Sequence, residues 1–405
     1  MRKDLLVLAG LLMSATAVGQ TTPNITLTIT PDGTEKTLRF ITNESDQMFQ
    51  IDWGDGNLVE TDVIHQGSGI NSEDQQAATA VIGTPVGEGQ IKVYGSGINF
   101  FHCAKMGVSQ LDITGAPEVT YLYLSNNPDL TELDLSQSNK LERIVISKTG
   151  LKHVDLSACP ELTAIQALGG EVESVNLSGC TKMESLTLAQ CKLSAIDFSD
   201  CTALTTIKLQ QNQISDLVAP YSLPSEATVN VSKNNLKMSQ LPPFSVKSYT
   251  YAPQAPMQVA EEYSVGESLD LSAEDNLRGV KITTKRTTYT LVDESGTELA
   301  LDTDYSVSDG VITFLTEQAE PVHLVLATDA FPNFKGSNKF ITTSFVVTPG
   351  SNVSVNDLGC TTRTIVSVYD LTGRPRQSMT SGVNIVRYSD GTTAKVVLRY
   401  PAPYI

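Results

Sequence analysis

Residues able to do chemistry are few and scattered in this chain of 405 residues. The four histidines, His65, His102, His153 and His323, fall in three separate stretches. None shows the close spacing that puts two imidazoles on one metal. His102 and Cys103 are neighbours along the chain, which gives no ground for reading them as a base and its nucleophile. The chain has no G-x-S-x-G elbow, no paired-cysteine metal motif and no phosphate loop. Its glycines from Gly83 to Gly89 and from Gly95 to Gly97 read as β-turns. The run Asp52-Trp53-Gly54-Asp55-Gly56 invites a calcium-loop reading. It lacks the alternating acidic positions and the terminal Glu of such a loop, so a turn with a packed tryptophan is expected. A recurrent polar column, Asp112, Asp134, Asp155, Asn176 and Asp197, is the remaining candidate. Like charges stacked at a strand spacing of about 4.8 Å repel by only about 1 kcal/mol in water, which is tolerable without a metal. A straight column also fails to converge the roughly six to eight oxygens that calcium needs. The expectation is therefore no catalytic centre, no metal and no cofactor.

Cysteine usage points the same way. Cys159, Cys180 and Cys201 are spaced by twenty-one residues, so they share one corner of a repeating unit. Buried thiols packed on a core are expected there. Stacking would bring them within disulfide distance, but the side-chain torsion of a bridge argues against one. Cys103 and Cys360 look like lone residues in separate domains.

The same period governs the apolar residues. Leu133-Asp134-Leu135, Val154-Asp155-Leu156, Val175-Asn176-Leu177 and Ile196-Asp197-Phe198 recur every twenty-one residues. A second set lies between them: Leu122-Tyr123-Leu124, Ile144-Val145-Ile146, Ile165-Gln166-Ala167, Leu186-Thr187-Leu188 and Ile207-Lys208-Leu209. One fixed period means one unit stacked on copies of itself, a solenoid. Residues Leu204 to Ile214 match L-x-x-L-x-L-x-x-N-x-L at every fixed position. Two strand-like triplets per coil leave only a few residues for each corner, too few for a helix of the usual ~10–12 residues. Both sides of the coil should be extended, with Leu, Ile and Val inside. Asn127, Asn212 and Asn234 fit an inward position that bonds backbone at the turn, while Thr149, Gly170 and Cys191 replace it in other coils. Pro242-Pro243 is expected to end the pattern.

The flanks are β-rich. Ile25 to Ile29 and Phe49 to Trp53 alternate with the period of a half-buried strand, and Ile91 to Tyr94 is a further strand. Gln66 to Ala80 is polar and reads as a loop. After Pro256, strands such as Tyr289 to Val292, Gly310 to Phe314 and Val322 to Leu326 follow at short intervals. Turns at Asp293 to Gly296 and Ser308 to Gly310 separate them, which suggests an immunoglobulin-like sandwich. The predicted fold is mostly β: a leucine-rich repeat solenoid of 21-residue coils, an N-terminal β module, an immunoglobulin-like sandwich and a small C-terminal β domain. Expected boundaries are 1–19 for a signal segment, 20–102, 103–243, 244–349 and 350–405.

Charge and the first residues bear on setting. Hydrophobic residues are 40% and charged residues 18%, the composition of a folded chain. A net charge of −17 argues against nucleic acid or an anionic membrane surface as partner. Arg2, Lys3 and the apolar run Leu5 to Ala17, ending in Ala17-Val18-Gly19, read as a secretory signal. No later stretch has the roughly 18 apolar residues of a membrane helix.

Three pieces resemble one class of protein. Trp53-Gly54-Asp55-Gly56 followed by Ile91-Lys92-Val93-Tyr94-Gly95-Ser96-Gly97-Ile98 is similar to the N-terminal module of leucine-rich repeat surface proteins of Bacteroidetes-type bacteria. The Leu-Asp-Leu-Ser and Val-Asn-Leu-Ser-Gly-Cys units resemble their repeats, in which Cys191 stands at a place often given to an inward Asn or Cys. The tail, with Val368-Tyr369-Asp370-Leu371-Thr372-Gly373-Arg374, Gly382-Val383-Asn384-Ile385-Val386-Arg387 and Lys395-Val396-Val397-Leu398, resembles the sorting domain of type IX secretion cargo. The resemblance implies a secreted or outer-surface protein that binds proteins, other bacteria or glycans. It also implies contact between the tail and the outer-membrane secretion machinery.

The binding surface expected from the repeats is the outward face of the Leu122-type strands. It carries Tyr121, Tyr123, Arg143, Val145, Gln166, Leu168, Thr187, Lys208 and Gln210. Two tyrosines beside an arginine are residue types enriched at interfaces. Tyr121, Tyr123, Arg143, Val145, Gln166 and Lys208 are the candidate ligand-binding residues of a non-catalytic, adhesin-like recognition protein. An extracellular hydrolase and a purely structural envelope component stay open as alternatives.

Overall fold

The computed structural model of the chain describes residues 22–45, 48–65, 77–280 and 284–350, and in the tail 365–370, 373–376, 382–388 and 392–398. The expected signal segment and Cys360 lie outside the described residues. The chain divides into two compact units, residues 1–348 and 349–405. Regular structure in both is almost all strand, with a few three-residue 3-10 turns.

The first unit begins with two facing sheets. Ile25–Ile29 buries Ile25, Leu27 and Ile29 and turns its threonines outward, as the two-residue strand period requires. It sits in a five-stranded sheet between Gln90–Tyr94 and Val108–Asp112, antiparallel to both. Opposite lies Lys36–Thr42, flanked by Thr79–Gly83 and Ile98–His102. Phe40 joins the layers, 5.8 Å from Phe49 and 5.5 Å from Phe101 between ring centroids. Trp53 is packed, 6% exposed, over Gly83. A Cβ on that glycine would lie 2.1 Å from the indole, so only glycine lets the ring close on the strand. The stretch read as a loop therefore ends in a strand at Thr79. This is an edge strand with Ile82 on its open face, which blurs the alternation that would have revealed it.

Ile98–His102 carries the sheet onward. It pairs antiparallel with Lys36–Thr42 on one side and parallel with Tyr121–Tyr123 on the other. One ten-stranded sheet thus runs from the N-terminal module into the solenoid, and no unpaired edge is left between them. Its parallel rungs are Tyr121–Tyr123, Arg143–Val145, Ala164–Leu168, Ser185–Ala189, Thr206–Lys208, Thr228–Asn230 and Ser248–Thr250. Arg143, Ala164, Ser185 and Thr206 align directly, each twenty-one residues on from the last. This is the leucine-rich repeat solenoid. Leu122, Ile144, Ile165, Leu186, Ile207 and Val229 form its inward column, each at most 2% exposed. Truncating such a leucine to alanine typically costs about 2–5 kcal/mol. The other side of the coil is extended too: His153–Asp155 pairs with Ser174–Asn176, and Ala195–Asp197 with Asp216–Val218. The stack also runs one rung past Pro242-Pro243. Ser248–Thr250 lacks the leucine motif but pairs in register with Thr228–Asn230, because backbone ladders need no leucine.

One corner of the stack is held by a second column. Asn127 donates to the carbonyls of Cys103 and Leu124 and accepts from the N–H groups of Met106 and Val108. Asn212 and Asn234 repeat this, and Gln254 does so after the last rung. Thr149 makes a single bond, to the carbonyl of Ile146. The residue before each corner position from Asn127 to Asn234 is left-handed, as is Lys105 one coil earlier; Pro253, before Gln254, is not. Lys105, Asn126, Lys148, Gln190, Gln211 and Lys233 have φ between 55° and 61°, and Gly169 takes φ 70° in the same row. Glycine and, to a lesser degree, asparagine adopt that conformation readily, and the hydrogen bonds around the corner hold the lysines and glutamines of the row in it.

The remainder of the first unit is a second two-sheet body. One sheet orders Glu262–Ser264, Phe345–Thr348, Gln318–Thr328, Thr284–Asp293 and Asn276–Arg278, with Phe340–Ile341 added to Gln318–Thr328. The other orders Ser268–Asp270, Val311–Phe314 and Tyr305–Ser308. Phe314 meets Phe345 between them at 5.2 Å. Tyr251 from the last coil packs on Phe331 and Phe334, and the buried carboxylate of Glu274 accepts from the N–H of Ser239 at 3.0 Å. The second unit is a four-stranded antiparallel sheet in the order Pro375–Arg376, Ile365–Tyr369, Gly382–Tyr388 and Thr393–Leu398.

Candidate binding face

The outward side of the parallel rungs carries two rows of side chains. One row is Phe100, Tyr121, Arg143, Ala164, Ser185, Thr206 and Thr228. The other is His102, Tyr123, Val145, Gln166, Thr187, Lys208 and Asn230. The six candidate residues therefore lie on one face, and the rungs bring them side by side.

They are not equally open. Tyr121 and Val145 are each 7% exposed, in a small outer core with Ile41, Ala78 and Phe100. Tyr121 meets Phe100 edge-on at 5.4 Å. This corrects the expectation of two open tyrosines. The N-terminal module covers the start of the face, and a repeat period cannot show that. Tyr123 is half-buried, its ring stacked on His102 at 4.8 Å. Burial, aided by the Arg39 charge, pushes the His102 imidazole down from its usual pKa and favours its neutral form. Thr187 is buried as well.

Arg143, Gln166, Leu168 and Lys208 remain exposed. Neither Arg143 nor Lys208 has an ion pair among the described residues, in contrast to the paired lysines on the solenoid flanks. Beside them lies a depression of about 220 Å³, lined by Arg143, Thr163, Gln166, Glu184, Ser185 and Thr187 among others. Thr163, Glu184 and Ser185 escaped the sequence reading. The signal was available in the spacing, since Ser185 stands twenty-one residues after Ala164, and Thr163 and Glu184 are themselves twenty-one apart.

The acidic column serves the turns. Asp112, Asp134, Asp155 and Asp197 each accept the N–H two residues on, from Thr114, Ser136, Ser157 and Ser199, at 2.8–3.0 Å. Asn176 does the same for Ser178. The N–H and then the hydroxyl of Ser136 and Ser157 hold Asp134 and Asp155 below the usual carboxylate range. For Asp197 the hydroxyl of Ser199 leads, followed by its N–H. These carboxylates close Asx turns. Among the described residues no group of three or more His, Cys, Asp and Glu side chains is arranged to hold a metal.

Cys103, Cys159, Cys180, Cys191 and Cys201 are buried free thiols. Burial pushes Cys159 and Cys201 up to about 12 and Cys180 and Cys191 up to about 11. The Cys180 thiol points at the Leu156 carbonyl, 3.5 Å away. Such thiols pack and do not react.

No family model matches the chain. No curated protein matches it either. Among solved structures it is similar to the functional domain of InlJ from Listeria monocytogenes, described as including a cysteine ladder, at 14% identity and a TM-score of 0.42. The match covers 62% of this chain and 53% of that one, so this chain spans about half the length of the chain it matches. The solenoid assignment stands on the register and the corner hydrogen bonds of this chain.

Proposed function

We propose that the protein is a non-catalytic recognition protein, acting outside the cell or on its surface, that engages a protein or glycan with the outward face of its parallel sheet. The observation that carries this reading is the exposed set Arg143, Gln166 and Lys208 on one face, held at strand spacing by the solenoid core, with Arg143 and Gln166 lining an open depression. Two cations without carboxylate partners, in a protein of net charge −17, invite an acidic or polar partner surface. The rigid scaffold helps too, because little conformational freedom remains to be lost on binding. The charged, apolar start of the chain and the sorting-like tail support an exported protein addressed through residues 350–405.

The test is a partner screen with the full chain over extracellular proteins and glycans, followed by the Arg143→Ala, Gln166→Ala, Lys208→Ala triple variant. Affinity for the partner should fall by about tenfold or more, with an unchanged melting temperature. Unchanged affinity in the folded variant would reject this face. Deleting residues 350–405 should hold the protein back from the cell surface in fractionation.

A further inference from the structure

A second site lies where the coil stack opens. The strand Asp216–Val218 pairs with Ala195–Asp197 on one side only. The next coil begins to stack on it, with the Asn235 N–H donating to the Ile214 carbonyl. It then turns away through the 3-10 turn Met238–Gln240 and Pro242-Pro243. Where a further strand of the stack would run there is a groove of about 520 Å³. Leu217, Pro220 and Leu223 form one wall, and Pro242, Pro243 and Phe244 the other. At its mouth stands Tyr221, 87% exposed. The Arg278 guanidinium lies over that ring at 5.7 Å and donates to its hydroxyl at 3.3 Å.

We propose that this groove binds an extended peptide that presents an apolar side chain next to a carboxylate. Three observations select that occupant. Among the described residues no strand pairs with the second edge of Asp216–Val218, and a peptide backbone can extend that edge. The floor is apolar and of side-chain scale. Among the described residues Arg278 is the one charged side chain lining the groove, and it has no ion pair there. A sugar fits less well, because two of the polar side chains at hand are already engaged and only the short hydroxyls of Ser222 and Ser245 remain beside Tyr221 and Arg278. The Gln240 amide bonds the Ser215 carbonyl and the Lys237 N–H, and the Ser239 hydroxyl bonds Glu274. The site is separate from the strand face and does not depend on it.

The experiment is fluorescence anisotropy of the full chain with a panel of short labelled peptides. Each carries a Leu-Glu pair in a Thr/Val-rich extended context and has a Leu-Gln twin; oligogalacturonate serves as the acidic sugar. Leu-Glu peptides should bind saturably and about tenfold more tightly than their twins. Arg278→Gln should erase that preference and leave the twins' affinity unchanged, and Tyr221→Ala should weaken both. The Arg143, Gln166, Lys208 triple variant should bind the peptides as wild type does. Absence of saturable peptide binding, a Glu preference that survives Arg278→Gln, loss of binding in the triple variant, or binding of oligogalacturonate alone would overturn the assignment.

Discussion

Asn127→Ala should destabilise the protein by about 4 kcal/mol, because four net hydrogen bonds of about 1 kcal/mol each disappear together. The side chain is fully buried. Its amide nitrogen reaches the carbonyls of Cys103 at 2.9 Å and Leu124 at 2.8 Å. Its oxygen takes the N–H groups of Met106 at 3.2 Å and Val108 at 3.1 Å. Alanine takes the side-chain partner from all four backbone groups. Thr149 occupies the equivalent corner one coil on and makes one such bond, so Thr149→Val should cost only about 1 kcal/mol. The assay is equilibrium urea unfolding followed by fluorescence of Trp53, the sole tryptophan. Trp53 is buried in the same continuous core, in the module that Asn127 ties to the first coil. A loss below about 1 kcal/mol for Asn127→Ala in a natively folded protein, or an equal loss for Thr149→Val, would refute the idea that these bonds hold the coils in register.

Two other outcomes follow from burial. Tyr121→Ala should lower stability by about 3 kcal/mol, through lost packing on Phe100, whereas Arg143→Ala should leave it within about 0.5 kcal/mol; thermal melts of the two variants compare them directly. The ladder thiols predict a pH dependence. Their folded pKa values are raised to about 11–12 while an unfolded cysteine ionises near 8.5, so their contribution is complete below about pH 8 and declines as pH rises toward 11. Urea titrations from pH 8 to pH 10.5 should show that decline, shallower in Cys180→Ala, and a disulfide reagent at pH 8 should label Cys159, Cys180 and Cys201 slowly in the native protein, as read by peptide mapping.

The solenoid was legible because its signal is redundant. Leu122, Ile144, Ile165, Leu186 and Ile207 repeat one inward position, and a single period fixes both the coil and the direction of each side chain. The inward Asn row was legible for the same reason at Asn127, Asn212 and Asn234. Period alone does not say what covers an outward residue. Tyr121 and Val145 point away from the solenoid core and are still buried, in a cluster with Ile41 and Ala78, which come from the N-terminal module more than forty residues earlier in the chain. Pairing across the sheet was invisible as well. Val108–Asp112 has the apolar spacing of a coil strand and yet runs antiparallel to Ile25–Ile29. The opening beside Asp216–Val218 arises from a strand that fails to form, and no motif marks an absent strand beyond Pro242-Pro243.

The most direct test of the central claim is site-specific photocrosslinking in the native host. A photoreactive residue would be placed at Gln166, on the outward face of the long sheet, and in a second chain at Asp155, on the other side of the coil. Adducts with one defined partner from Gln166, absent from Asp155, are the predicted result. Adducts from Asp155 with none from Gln166 would contradict the account.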